Sequence, residues 1–201
     1  MKRFFICLGV CILLVACGGV PLRSLPKLMQ LSQQLLEANP AEFRVALQVD
    51  ARLVPAAGAV PLLIVKVEPR TAGDFDVIDK KLPLQLSVAS VSTLGLEAPP
   101  RGRRWLIYSM PPQTQVELQR VQETVRQARA VNQATGKAKG GGSLSLGLEQ
   151  DSLASSDPAL ADTPWSTWIQ TRQSDGFFEA WTGTLAQLRK VAAEKRADKP
   201  Q

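Results

Sequence analysis

The chain reads FRVALQVDARL from Phe43 to Leu53, with an apolar side chain at every second position. Successive side chains of a β-strand point to opposite faces, so a period of two predicts a strand with one buried and one solvated face. This is the cleanest alternation in the sequence. We therefore take it as the strand around which a sheet is built.

Other apolar runs predict the partner strands. Residues Val60 to Val67 follow a turn at Pro55 to Ala59, which predicts an antiparallel hairpin with the first strand. Residues Pro69 to Lys81 are mostly polar and are predicted to connect this strand to the next. Further strands are predicted at 82–88, 103–110, 144–148, 165–171 and 177–182, with 82–88 pairing with 103–110 and a hairpin turn at Asp175 and Gly176 joining the last two.

Three segments have helical periodicity. The first runs from Leu25 to Asn39 with Ser24 as N-cap, and either packs on the core or rests on lipid. The second spans 115–132, with Thr114 and Glu117 as a capping box, and Thr184 caps a third. The chain is thus predicted to be an α+β domain: a mainly antiparallel sheet of about six or seven strands with three helices packed on a face or edge.

The first residues have the features of a secretory signal. Lys2 and Arg3 precede an apolar core from Phe4 to Ala16, which is too short to span a bilayer. The core ends in Leu14, Val15, Ala16 and Cys17. In position and order these four residues resemble the lipobox of bacterial lipoproteins.

The lipobox resemblance implies an anchored protein. By it, residues 1–16 are a cleaved signal peptide recognised through Leu14, Val15 and Ala16, and Cys17 carries covalent lipid, with no other cofactor expected. Because Gly18 rather than Asp follows the cysteine, the resemblance favours the outer membrane over the inner membrane. The two alternatives are cleavage by an ordinary signal peptidase, which would leave a free thiol, and an uncleaved membrane helix.

The rest of the chain divides into three parts. Residues 17–24 form a short tether, 25–194 a single globular domain and 195–201 a charged tail. The short tether predicts a body close to the bilayer, with Arg23 and Lys27 facing headgroups. Loss of Lys2 and Arg3 with the predicted signal lowers the net charge from +6 to +4, which suits an anionic membrane surface but is too dispersed to indicate nucleic acid.

The absence of histidine restricts the chemistry. The sequence has no histidine, and its three cysteines all lie at or before Cys17, which removes histidine-based triads and nearly every zinc hydrolase. We therefore expect no enzyme, but a binding or assembly accessory that contacts a protein or lipid partner in the envelope. The alternative is a carboxylate-dependent hydrolase of cell-wall glycan, which peptidoglycan zymography would reveal.

Four clusters of side chains are candidates for a functional site. The acidic residues at 74, 76 and 79 lack the spacing of a calcium loop, and the Gly-rich loop at 136–143 follows a helix rather than a strand, so neither predicts a metal or phosphate site. Arg101, Arg103 and Arg104 could contact anionic headgroups, or form only a charged turn. Five aromatic residues gather on one predicted hairpin, as core or as a contact surface: Trp165, Trp168, Phe177, Phe178 and Trp181.

Two short stretches of the body are also informative. Residues 21–28, which lead into the first helix, and 142–146, in a predicted strand, are similar to small bacterial lipoproteins with no assigned activity. This resemblance implies no catalytic residue.

Overall fold

The computed structural model describes residues 19–69, 75–87, 93–134, 142–154 and 157–197. Within these ranges the chain forms eight strands and three α-helices, which confirms the predicted α+β class. The lipobox, residues 14 to 17, lies outside the described residues.

The elements have the following bounds. The strands are β1 Arg44–Asp50, β2 Leu62–Pro69, β3 Ile78–Pro83, β4 Gln85–Leu86, β5 Arg103–Ser109, β6 Gly142–Glu149, β7 Pro164–Gln170 and β8 Phe178–Thr184. The helices are α1 Leu25–Glu37, α2 Pro112–Ala134 and α3 Leu185–Ala197.

The described strands form two antiparallel sheets rather than one. Five strands lie in the order β4-β5-β1-β7-β8 and three in the order β3-β2-β6. The predicted hairpin between the first two strands is therefore wrong, because β1 pairs with β5 and β7 whereas β2 pairs with β3 and β6. Alternation identifies which face of a strand is buried, but it does not identify the neighbouring strand.

The strand predicted at 82–88 is divided between the two sheets. Its first residues end β3, which also takes in part of the predicted polar connection, and its next residues form β4, which pairs with β5 as expected. Pro83 lies at the boundary, and proline has no N–H to donate to a sheet ladder. Leu84 then crosses between the sheets, with its N–H bonded to the Pro61 carbonyl at 3.0 Å.

One cluster of buried apolar side chains joins both sheets. Val45, Leu47 and Val49 of β1 are completely buried in it, together with Val65 of β2. Ala46, which points to the other face of β1, is also completely buried. The first strand is thus covered on both faces over its central residues, rather than solvated on one.

The three helices pack around this core with different caps. Ser24 is buried and makes no side-chain cap to α1, and Thr114 lies inside α2, where its Oγ1 donates to the Pro83 carbonyl at 2.8 Å. Both predicted caps are wrong. The cap of α3 is confirmed, since Thr184 N donates to Gln187 Oε1 at 2.9 Å and Gln187 N donates to Thr184 Oγ1 at 3.3 Å.

The amino-terminal segment is more closely attached than a free tether. The Thr182 N–H donates to the Gly19 carbonyl at 3.2 Å, and Leu22–Ser24 form a turn of 3₁₀-helix that leads directly into α1. Most of the predicted tether therefore lies against the body. Gly18 is the one residue between Cys17 and this attachment.

A buried amide ties α1 to α2. Gln122 is 7% exposed, and its Nε2 donates to the carbonyls of Leu35 at 2.7 Å and Ala38 at 3.0 Å. The last carbonyls of a helix have no partner inside the helix, so this side chain supplies the missing donors. The contact fixes the end of α1 that packs on the core.

Replacing this amide should destabilise the body. Gln122→Met keeps the approximate size of the side chain but leaves buried carbonyls unpaired, which costs about 1–3 kcal/mol of the free energy of unfolding. Urea denaturation measures it. Gln119→Met, at an exposed position of the same helix, is the matched control, and equal losses from both changes would contradict the role given to Gln122.

Candidate functional site

The predicted basic cluster does not form one surface. Arg103 and Arg104 are neighbours on β5, so their side chains leave opposite faces of the sheet, and Arg101 lies in the exposed turn before it. The three guanidinium groups do not converge. The headgroup contact proposed for them stays a prediction.

Two of these arginines bind backbone carbonyls instead. Arg103 Nη2 donates to the carbonyls of Gln48 at 2.8 Å and Pro164 at 3.1 Å, and so links β5, β1 and β7. Arg104 Nη2 donates to the Leu53 carbonyl at 2.5 Å. Burial lowers the pKa of Arg103, with nearby Asp50 opposing this effect. These contacts tie strands together, which the sequence pattern does not reveal.

The five aromatic residues of the predicted hairpin lie in three different environments. Trp165 is 1% exposed and belongs to the core. Trp168, Phe177 and Phe178 line a cleft of about 510 Å³, which we call the aromatic cleft. Trp181 instead lines a cavity between α1 and α3. The two alternatives weighed for this hairpin, core and contact surface, therefore each apply to some of its residues.

An indole pair forms part of the aromatic cleft. The rings of Trp105 and Trp168 meet edge to face, with centroids 5.9 Å apart and planes at 88°. They come from β5 and β7, which flank β1, and Trp168 lies opposite Ala46 in the strand register. A small side chain at Ala46 leaves room for the two indoles to meet above β1.

Charged groups line the same cleft. Arg23 Nη2 bonds Glu179 Oε2 at 2.7 Å, and Lys27 Nζ lies 5.5 Å from the centre of the Phe178 ring. Glu97 also lines it, and its carbonyl accepts a hydrogen bond from Trp105 Nε1 at 2.9 Å. The cleft thus combines aromatic faces with two carboxylates and two cations, of which Arg23 and Glu179 pair with each other and Lys27 lies near a ring.

The second cavity is apolar and we call it the apolar groove. Its volume is about 270 Å³, and α1, α3, β2, β6, β7 and β8 all contribute to its walls. Eleven of its lining residues are apolar: Leu28, Leu31, Phe43, Leu63, Leu146, Leu148, Ile169, Ala180, Trp181, Leu188 and Val191. Leu28, Trp181 and Leu188 are only partly buried, and Val191 is 42% exposed, so the groove reaches the surface.

Two polar side chains also line the apolar groove. Gln150 Oε1 accepts hydrogen bonds from Thr167 Oγ1 at 3.0 Å and from Trp165 Nε1 at 2.9 Å. Gln150 is 6% exposed, and its amide is held in one orientation by these donors. The groove therefore combines a long apolar wall with a fixed polar group, the usual composition of a small-molecule site.

The sequence patterns did not indicate this groove. Leu28 was expected on the buried side of a helix, as was Leu188, and nothing in their spacing shows that the side chains between α1 and α3 fail to fill the space. One signal in the sequence points to this end of the body. Met29 is an apolar residue that lies outside the repeat of leucines on α1, and it is exposed in the structure.

The remaining predicted clusters give no site in the part of the chain that is described. Asp74 and residues 135–141 of the Gly-rich loop lie outside it, and among the described residues no three acidic, cysteine or histidine side chains group as a metal site would need. None of the described helices is both long and apolar enough to cross a bilayer.

Comparison of the chain with models of known protein families, with curated proteins and with solved structures finds no match. The geometry of the two cavities therefore carries the functional argument.

An acid-sensitive turn at the end of β1 gives a test of the local electrostatics. Arg52 donates to Asp50 from Nε at 2.9 Å, from Nη2 at 3.0 Å and from its backbone N at 2.9 Å. The side-chain bonds first, and then the backbone bond, hold the pKa of Asp50 at about 2, below its ordinary 3.8. Because the folded-state pKa is the lower one, the resulting stabilisation is present above pH 3.8 and is lost as the pH falls towards 2.

We expect Asp50→Asn to remove this pH dependence. The variant should have a lower unfolding midpoint than the wild type at about pH 5, and the gap should narrow as the pH approaches about 2. Thermal unfolding at both pH values measures it. Arg52→Gln removes the guanidinium donors but keeps the backbone N–H, so its gap should be smaller and should narrow in the same way. A gap that is constant with pH would contradict the assigned cause.

Proposed function

We propose that the chain is a lipid-anchored protein of the bacterial envelope that binds the hydrocarbon part of an amphiphile in the apolar groove. The composition of the groove supports this proposal most directly, since eleven of its lining residues are apolar. Dry cavities with such walls bind apolar molecules, and a cavity of about 150 Å³ already accepts benzene. An acyl chain is an envelope ligand that matches these apolar walls in chemistry.

The anchor in this proposal is the predicted lipid on Cys17. Two or more acyl chains on one protein hold it at a membrane in practice permanently. The attachment of Gly19 to Thr182 supports a body held near that membrane, because two extended residues span about 7 Å at most. The Gly18 position favours the outer membrane as the location.

The groove adds a ligand to the accessory role expected from the sequence. An acyl chain held between α1 and α3 could belong to a free lipid or to a lipid carried by another envelope protein. In either case binding requires no reaction, which agrees with the lack of histidine and of any cysteine after Cys17.

The hydrolase stays the alternative function. The observation in its favour is that two carboxylates, Glu97 and Glu179, line one cleft beside aromatic rings. Against it, the Glu179 carboxylate is engaged by Arg23 at 2.7 Å. The apolar groove has no role in glycan cleavage, and for this reason we place ligand binding first.

Filling the groove should abolish binding of an acyl chain. The wild-type body should bind a fluorescent fatty acid, and Ala180→Leu should weaken binding at least about tenfold by placing a larger side chain in the cavity. Fluorescence titration measures the affinity. Leu188→Asn, which makes the wall polar, should weaken it as well.

Ala130→Leu is the matched control, since Ala130 is exposed on α2, away from the groove. Unfolding curves establish that each variant folds. Undetectable binding by the wild type, or equal binding by the Ala180 variant, would overturn the proposed ligand.

The anchor has its own test. Cys17→Ser removes the thiol that would form the thioether, so the variant should take up no labelled palmitate and should remain unprocessed or be released. Metabolic labelling followed by membrane fractionation measures both. A variant that still incorporates palmitate and fractionates with the outer membrane would disprove the lipobox assignment.

A further inference from the structure

A strip of exposed apolar residues lies at the amino-terminal end of the body. The exposed fractions are 44% for Val20, 84% for Leu22, 43% for Leu25 and 81% for Met29. Single exposed apolar residues are normal on protein surfaces, but these four lie within ten residues of one segment. The spacing from Leu25 to Met29 places both side chains on the same side of α1.

The rest of α1 explains why the strip is available. Its second half packs on the core through Leu31, Leu35 and Leu36, each at most 8% exposed. Near the start of α1, the apolar face of the helix is therefore wider than the part that contacts the core. Of the two alternatives for this helix, packing on the core applies to its second half and to Leu28, whereas Leu25 and Met29 remain exposed.

The course of the chain places this strip beside the predicted anchor. The Gly19 carbonyl is bonded to Thr182 N, and Val20 is the next residue. Because only Gly18 separates Gly19 from Cys17, lipid on that cysteine would enter a membrane within about 10 Å of Val20, the reach of three extended residues. A partner at that position has to be compatible with a bilayer surface.

The charge around the strip suits anionic lipid. Arg23 lies in the same segment, and Glu37 is the first acidic residue of the chain. Lys27 lies on the opposite side of α1 from Leu25 and Met29, with its Nζ near the Phe178 ring. Arg23 bonds Glu179, but its side chain is 74% exposed and so can also reach lipid phosphate. Basic residues held near an anionic leaflet are attracted to it, and apolar side chains beside them bury in the headgroup region.

We propose that Val20, Leu22, Leu25 and Met29 form a membrane-docking surface that inserts into an anionic bilayer without help from the lipid on Cys17. The proposal shares its membrane location with the proposed function, but does not depend on a ligand in the apolar groove. Docking in this way would fix the orientation of the body, with Leu28 of the groove wall one helical turn from Leu25.

Vesicle binding by the lipid-free body tests the docking surface. Residues 18–201 retain every buried core residue, since these lie between Leu31 and Leu185, so this chain is expected to fold without the leader. Sedimentation with phosphatidylcholine vesicles, with and without phosphatidylglycerol, measures partition. The wild type should bind vesicles that contain phosphatidylglycerol more strongly.

The variant Leu22→Asp with Met29→Asp should lose binding at least about tenfold, because it places carboxylates where apolar side chains insert. Val54→Asp is the matched control, since Val54 is 78% exposed but lies outside the strip, and it should bind like the wild type. Equal binding by wild type and strip variant, or no wild-type binding to either vesicle, would overturn the docking surface.

The fatty-acid titration separates this proposal from the proposed function. A body that binds the fluorescent fatty acid but does not partition to vesicles overturns the docking surface alone. A body that partitions through the strip and binds no fatty acid supports the docking surface and overturns the ligand proposed for the groove.

Discussion

Burial of β1 on both faces is the constraint on which the rest of the structure depends. On one face Val45, Leu47 and Val49 pack into the core shared by the two sheets. On the other, Ala46 is small enough to let Trp105 and Trp168 meet above it. Because the strand is central, β5 and β7 must flank it, and their outer face becomes one side of the aromatic cleft.

Much of the fold could be predicted from local pattern. The alternation in β1, the apolar run of β2 and the 3.6-residue period of α2 each depend on neighbours in the sequence, so they indicate the correct kind of element. The Thr184 cap was predictable for the same reason, because both of its partners lie within one helical turn. The hairpin turn ending in Gly176 was predictable as well, and this residue has a positive φ of 66°.

What the sequence did not reveal depends on distant partners. Strand alternation left the division into two sheets open, and Arg103 looked like a solvated charge although it donates to carbonyls of two other strands. The apolar groove is a space that side chains from six helices and strands, β2 with Leu63 included, leave unfilled. Neither periodicity nor composition can report such a gap, because both describe one segment at a time.

The groove and the docking strip share one helix. The start of α1 carries the exposed apolar side chains, Leu28 lines the groove, and the end of the helix is fixed to α2 through Gln122. A membrane that accepts the strip would lie next to the mouth of the groove. Helix α1 would therefore connect the proposed docking surface to the apolar groove.

The depth of α1 in a bilayer is the most direct test of the proposed membrane docking. If Cys17 carries the proposed lipid it has no free thiol, so a cysteine introduced as Met29→Cys takes an environment-sensitive fluorophore alone, with Val54→Cys as the reference position. On phosphatidylglycerol-containing vesicles, we expect the label at 29 to report an apolar environment and to be quenched by bilayer-embedded quenchers. The label at 54 should report an aqueous environment. Aqueous spectra at both positions in the anchored protein would contradict the proposed docking.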